Sequence, residues 1–423
     1  MSIRHLPIAI LTGVLAVSAC GPAPDVTAPP STSTAPPAST APTALPTSSP
    51  SAAPSPVAHA EWRSAAPMIR PRTGFDAIVL GDGTVLAVGD DHACYPGPAE
   101  AGSERAERYD PASDTWVEIP SLNKPRKEPA TVVTAEGLAM VLGGLNDVEQ
   151  PFSSTKVFKP DTSTWTDGPL MQLGRAQPLA VTLPDGGVFV VSDTGTGEEH
   201  FTSERLDPAS GSWLPAAGLP RLTSIDQMVV LSTGTVLATG SFSGDTEPTQ
   251  IAYVYDPAED TWTGVQGLAG FGFTLVPLAD GRALAVGGND GGELSGGTGG
   301  LTTAVHRFEP DRGVWATVAS LTTGRDEPQV AVLADGSVLV AGGAGVAAGG
   351  DEQALVSTEL YDPVRDRWLP GGDLHEGRYG GHAIRLTDGS VLLLGGTSDF
   401  NTNGEVPWCP TPLVTTERLE ARP

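Results

Sequence analysis

The chain has 423 residues, with 50 Asp and Glu against 24 Lys and Arg, and a formal charge of -26 at pH 7. Phosphate recognition needs the opposite sign, so a nucleic-acid or direct anionic-lipid surface is disfavoured. The charge sits beyond residue 60, because the first sixty residues contribute only Arg4 and Asp25.

Arg4 precedes an apolar run from Ile8 to Val17 and small residues ending at Cys20, which is the order of a secretory signal. The run is too short to span a bilayer stably. Val17-Ser18-Ala19-Cys20 resembles a bacterial lipobox. That resemblance implies a signal peptide over residues 1–19, lipidation of Cys20, and export to a bacterial cell surface or outer membrane, held there by the lipid alone. Residues 20–59 are almost entirely Pro, Ala, Ser and Thr, which cannot bury enough apolar surface to offset ordering, so a disordered tether is expected.

From residue 60 a repeat governs the chain. Trp62, Trp116, Trp165, Trp213, Trp262, Trp315 and Trp368 recur every 48 to 54 residues. Each Trp after the first closes a Pro/Asp turn such as Asp110-Pro111 or Pro310-Asp311. Upstream lie two apolar runs, joined by Asp-Gly in five units: Asp82-Gly83, Asp185-Gly186, Asp280-Gly281, Asp335-Gly336 and Asp388-Gly389. Asp-Gly between β-rich runs signals a tight hairpin. Gly143-Gly144, Gly287-Gly288, Gly342-Gly343 and Gly395-Gly396 end the second run, whereas units three and four carry Ser192-Asp193 and Gly240-Ser241.

An apolar run, a diglycine, an aromatic before a turn and then Trp together resemble the kelch repeat. The aromatic is Tyr109, Phe158, Tyr255, Phe308 and Tyr361, with Leu206 and Leu419 in the other two units. The resemblance implies an all-β fold, a seven-bladed kelch-type propeller over 60–423. Its blades are expected at about 70–120, 121–169, 170–218, 219–267, 268–321, 322–373 and 374–423. The last unit lacks a Trp strand, so the strand around Trp62 (60–68) is expected to complete blade seven from outside and close the ring. Cys94 and Cys409 then follow the second strands of neighbouring blades. In an oxidising compartment they are expected to form a disulfide across that closure.

Loops between the second and third strands span 19 to 24 residues in blades five, six, seven and one, against 14 or 15 elsewhere. Variable loops on a rigid scaffold commonly carry binding. Arg72, Arg126, Arg175, Arg325 and Arg378 recur ten residues before the hairpin turn, with Arg221 displaced in blade four and Gly270 in place of Arg in blade five. Together with His382 they are ligand-binding candidates: a ring at the channel mouth for an anion or sugar hydroxyl, or braces bonded to neighbouring carbonyls and carboxylates. His92, His375, His382 and Asp91 are the candidate metal ligands, with calcium or copper as the ions to consider.

The kelch resemblance extends to copper radical oxidases such as galactose oxidase, whose metal centre uses two Tyr, two His and a Cys, one Tyr directly preceding a His. No Tyr-His pair occurs here. The expectation is therefore a monomeric binding module without a resident cofactor, taking a carbohydrate or a cell-surface protein. The alternative is a carbohydrate-active or copper-type oxidase with its site where blades seven and one meet.

Overall fold

The Asp82-Gly83 turn folds strand Asp76–Val79 back antiparallel onto Val85–Val88, with Ala77 opposite Ala87. Gly83 has φ +83°, open to glycine without strain, and Asp82 accepts the Thr84 amide to fix the bend. Ala106–Asp110 and Thr115–Ile119 complete a four-stranded sheet. The structure, a computed structural model, describes residues 61–89, 105–146, 148–192, 201–220, 224–242, 249–268, 270–289, 300–346, 352–398 and 411–421.

The same sheet recurs behind innermost strands Ala130–Val133, Leu179–Thr182, Ser224–Val230, Thr274–Pro277, Gln329–Val332 and His382–Arg385. Each innermost strand contacts the next, and Asp76–Val79 contacts His382–Arg385, so seven blades close a ring. In the seventh blade the order from outside inward is Trp62–Ala65, Thr416–Leu419, Val391–Leu394 and His382–Arg385. Trp62 stands opposite Leu419 and Ala65 opposite Thr416, the closure that the missing final Trp strand predicts.

The core lies between blades. Second strands such as Val85–Val88 and Val391–Leu394 are buried along their whole length, and one cluster joins Phe75, Tyr109 and Trp116 of blade one to Leu392 and Leu394 of blade seven. Burying each large apolar side chain stabilises the fold by about 1.5–3 kcal/mol.

Polar clasps set the blade spacing. Trp116, Trp165, Trp213, Trp262, Trp315 and Trp368 donate their indole N–H to carbonyls of the preceding blade at 2.7–3.1 Å. Each acceptor stands four residues beyond that blade's own Trp. In blades one, four and six a second bond joins in. Asp114, Asp260 and Asp366 accept the N–H of Ala66, Ala217 and Ala319, the same residues that accept from Trp, and each also accepts a Tyr hydroxyl. Burial, and then the neighbouring Asp114 carboxylate, push the Tyr109 phenol up to about 12.

Candidate functional site

The recurring arginines are deeply enclosed: Arg72, Arg126, Arg175, Arg325 and Arg378 are 0–1 % exposed. Arg72 Nη1 donates to the carbonyls of Gly89, at the end of strand two, and Arg105, before strand three, at 2.5 and 3.1 Å. Its Nε and Nη2 donate to Glu107 Oε1 at 3.0 and 2.8 Å, while Glu107 Oε2 accepts the Ile69 amide. The same pairing links Arg175 to Glu204, Arg325 to Glu359 and Arg378 to Glu417 at 2.8–3.2 Å. The planar guanidinium suits this fork of oxygens, and its donors are turned inward. So placed, the arginines brace the loop-bearing face and present no open surface to a ligand.

The glutamates are absent from the sequence-derived candidates, although each stands two residues before the aromatic or Leu of strand three. In blade two that position is Lys156. Arg126 keeps its bonds to the Gly143 and Ser154 carbonyls, lies 4.5 Å from the Phe152 ring centre, and has its pKa drawn down to about 10 by burial. In blade four the position is Tyr253, with Arg221 outside the described residues, and in blade five His306 faces Gly270.

The diglycines belong to the same lattice. Gly144, Gly288, Gly343 and Gly396 donate to the backbone carbonyls of Arg175, Arg325, Arg378 and Arg72 in the next blade at 2.8–3.2 Å. A Cβ on Gly342 would sit 2.3 Å from the Arg378 carbonyl, so the approach requires glycine. Each blade that ends strand two in diglycine is followed by a blade carrying the complete Arg–Glu pair.

His382 donates Nε2–H to the Phe75 carbonyl at 2.7 Å and packs edge-on to the Phe75 ring, joining blades seven and one. His375 Nδ1 instead lies 2.8 Å from Glu417 Oε2 on a largely exposed ring. Cys20, Asp91, His92, Cys94 and Cys409 lie outside the described residues. Among the described residues no group of three His, Cys, Asp or Glu side chains is placed to hold a metal ion, and the two histidines have separate partners.

Among the described residues, two concavities on the loop-bearing face stand out. The larger, about 590 Å³, lies on blade three between its flanking crossovers, with Leu173, Phe201, Pro215 and Leu219 in its walls and Gln172 and Glu204 among its polar groups. It falls outside the arc of long loops, whose central residues lie largely beyond the described set. The smaller, about 190 Å³, lies inside that arc on blade five, around Gly270 and His306.

No protein-family model matches the chain. Galactose oxidase of Gibberella zeae is 28% identical over 116 residues, 26% of this chain and 16% of that protein. Kelch-like protein 34 of Homo sapiens is 33% identical over 96 residues, 23% of this chain and 14% of that protein. The chain therefore spans less than a fifth of the length of these curated relatives. A solved fungal alcohol oxidase of the AA5 family, in complex with copper, superposes with a TM-score of 0.61 at 20% identity, covering 85% of this chain and 76% of that one. At that identity the likeness concerns the fold. The chain is an all-β, seven-bladed propeller, kelch-like and galactose-oxidase-like in its repeats.

Proposed function

We propose that the protein is an exported binding module, tethered through a lipidated Cys20, that receives a cell-surface protein at the blade-three cleft. The observation that carries this reading is the apolar wall of the cleft. Leu173, 42% exposed, lines it together with Phe201, Pro215, Ala216 and Leu219. An exposed apolar group in a concavity suits an interaction surface, and a mostly apolar wall suits a protein segment better than a free sugar. The oxidase reading draws less support from the described residues: Tyr109, Tyr255 and Tyr361 donate to Asp114, Asp260 and Asp366, and His375 and His382 are bonded to Glu417 and the Phe75 carbonyl.

The test screens the exported chain against arrays of envelope-protein peptides and of glycans, alongside Leu173→Asp. Peptide binding that Leu173→Asp abolishes at unchanged melting temperature supports the reading. Binding confined to glycans, or peroxide release from sugars after copper loading, overturns it.

A further inference from the structure

The blade-five cavity occupies the place of a missing side chain. Its lining includes Gly270, Phe271, Phe273, Gly287, Ala304 and His306. Gly270 stands where five sister blades place Arg, and His306 where four of them place Glu. In blades two and six, Arg126 and Arg325 reach the carbonyl of the glycine ending strand two and the carbonyl two residues before the Glu or Lys position. The blade-five counterparts are the Gly287 and Ala304 carbonyls, and among the described residues neither has a hydrogen-bond donor. The two carbonyls border the cavity that the arginine would fill, so the slot retains the acceptors of a guanidinium and lacks the group itself.

We propose that the blade-five slot is a binding site for a guanidinium group supplied from outside the fold, by a free guanidino compound or by an arginine side chain of a partner. The two carbonyls accept from the ligand's N–H groups, and Phe271 and Phe273 line the same space. Blade two provides the precedent within this chain, since Arg126 is held there without a carboxylate, by two carbonyls, the Ser154 hydroxyl and the face of Phe152; Ala304 replaces that serine in blade five. Burial lowers the His306 pKa and favours the neutral ring; with Nδ1 turned to Thr317 Oγ1 at 3.5 Å and carrying the proton, Nε2 supplies a third acceptor. The net charge of -26 attracts a cation toward the surface. This inference concerns a different blade from the peptide cleft and stands or falls without it.

The experiment titrates the full exported chain with methylguanidinium, with methylammonium as the control cation, and reads the His306 ring by NMR together with binding heat. The expected result is saturable methylguanidinium binding that shifts the His306 resonances, with methylammonium at least about tenfold weaker because it lacks the planar fork. His306→Glu rebuilds the sister-blade pair and should tighten binding by about tenfold or more, whereas His306→Leu should weaken it by about fivefold or more. Agmatine and a blocked arginine-containing peptide are the two further arms. Binding of agmatine alone assigns the slot to a free compound, and binding of the peptide assigns it to a partner's arginine. Equal affinity for the two cations, or no response of His306 in the folded wild-type chain, overturns the proposal whatever the variants do.

Discussion

The indole N–H of Trp116 donates to the carbonyl of Ala66 at 3.0 Å, and the N–H of Ala66 donates back to Asp114 Oδ1 at 3.0 Å. One backbone residue at the end of the ring-closing strand is thus gripped from both sides by blade one. Asp114 adopts φ +50° in the turn that leads into Trp116, and Tyr109 donates to the same carboxylate oxygen. The two bonds should act as a unit. Trp116→Phe keeps the ring and loses the donor, at a cost of about 1 kcal/mol, and Asp114→Ala should cost about 1–2 kcal/mol by also freeing the Tyr109 hydroxyl. Urea unfolding of the single and double variants should show coupling of at least about 0.5 kcal/mol, and strict additivity would count against a shared clasp.

Removing a brace should cost more where it strands a carboxylate. Arg378→Met leaves the buried Glu417 with only the His375 ring and the His375 and Glu376 amides as partners, a loss on the order of 3 kcal/mol. Arg126→Met strands no acid, since Lys156 occupies that position and turns to Asp167, so about 1–2 kcal/mol is expected. Adding Glu417→Leu to Arg378→Met should recover part of the loss. Thermal melts of the three variants decide the matter, and equal costs at Arg378 and Arg126 would refute the carboxylate argument.

The blade repeat and its closure are legible from sequence because they rest on local chemistry: Asp-Gly hairpins, Pro/Asp turns and one Trp per unit. The braces are harder to read. Arg recurrence is visible, but its partner lies about thirty residues away, at Glu107 for Arg72 and Glu204 for Arg175, and only strand pairing brings them together. The offset of two from the strand-three aromatic would have revealed it, as would the offset of five linking Tyr109, Tyr255 and Tyr361 to Asp114, Asp260 and Asp366. The cavities are beyond sequence reading altogether. A missing arginine at Gly270 is plain in the repeat, yet whether neighbouring side chains collapse into the space depends on packing.

Asp326 offers a pH test. Burial, reinforced by the charge of Glu327, pushes its carboxyl from the ordinary 3.8 to about 7. The folded chain therefore holds this proton more tightly than the unfolded chain does, and stability is lost as pH rises from about 4 to 7, by at most about 1.4 kcal/mol per pH unit. Asp326→Asn should remove that dependence, so the variant gains on the wild type as pH climbs and matches it most closely near pH 4. Melting curves at pH 4, 5.5, 7 and 8 check it, and parallel profiles would rule the effect out.

For the thiols, the prediction is that Cys94 and Cys409 join across blades one and seven in the exported chain. Mass spectrometry after non-reducing digestion should find the linked peptides. Cys94→Ser should lower stability by about 2–4 kcal/mol. Two free thiols in protein recovered from the oxidising compartment would dismiss the bridge.

Closure through Trp62–Ala65 also sets a timetable. The first strand of the ring pairs with Thr416–Leu419, more than 350 residues later, so during synthesis it waits for all the intervening blades to emerge. Blades one to six can fold in turn as each hairpin set is made, while the seventh has its inner three strands only at the very end. Until then Trp62 has no Leu419 to face, and Ala66 offers blade one its clasp from an unpaired strand. A chain without Thr416–Leu419 has nothing to pair with Trp62–Ala65 and leaves raw strand edges at the seam, which makes this one pairing the check on a closed ring.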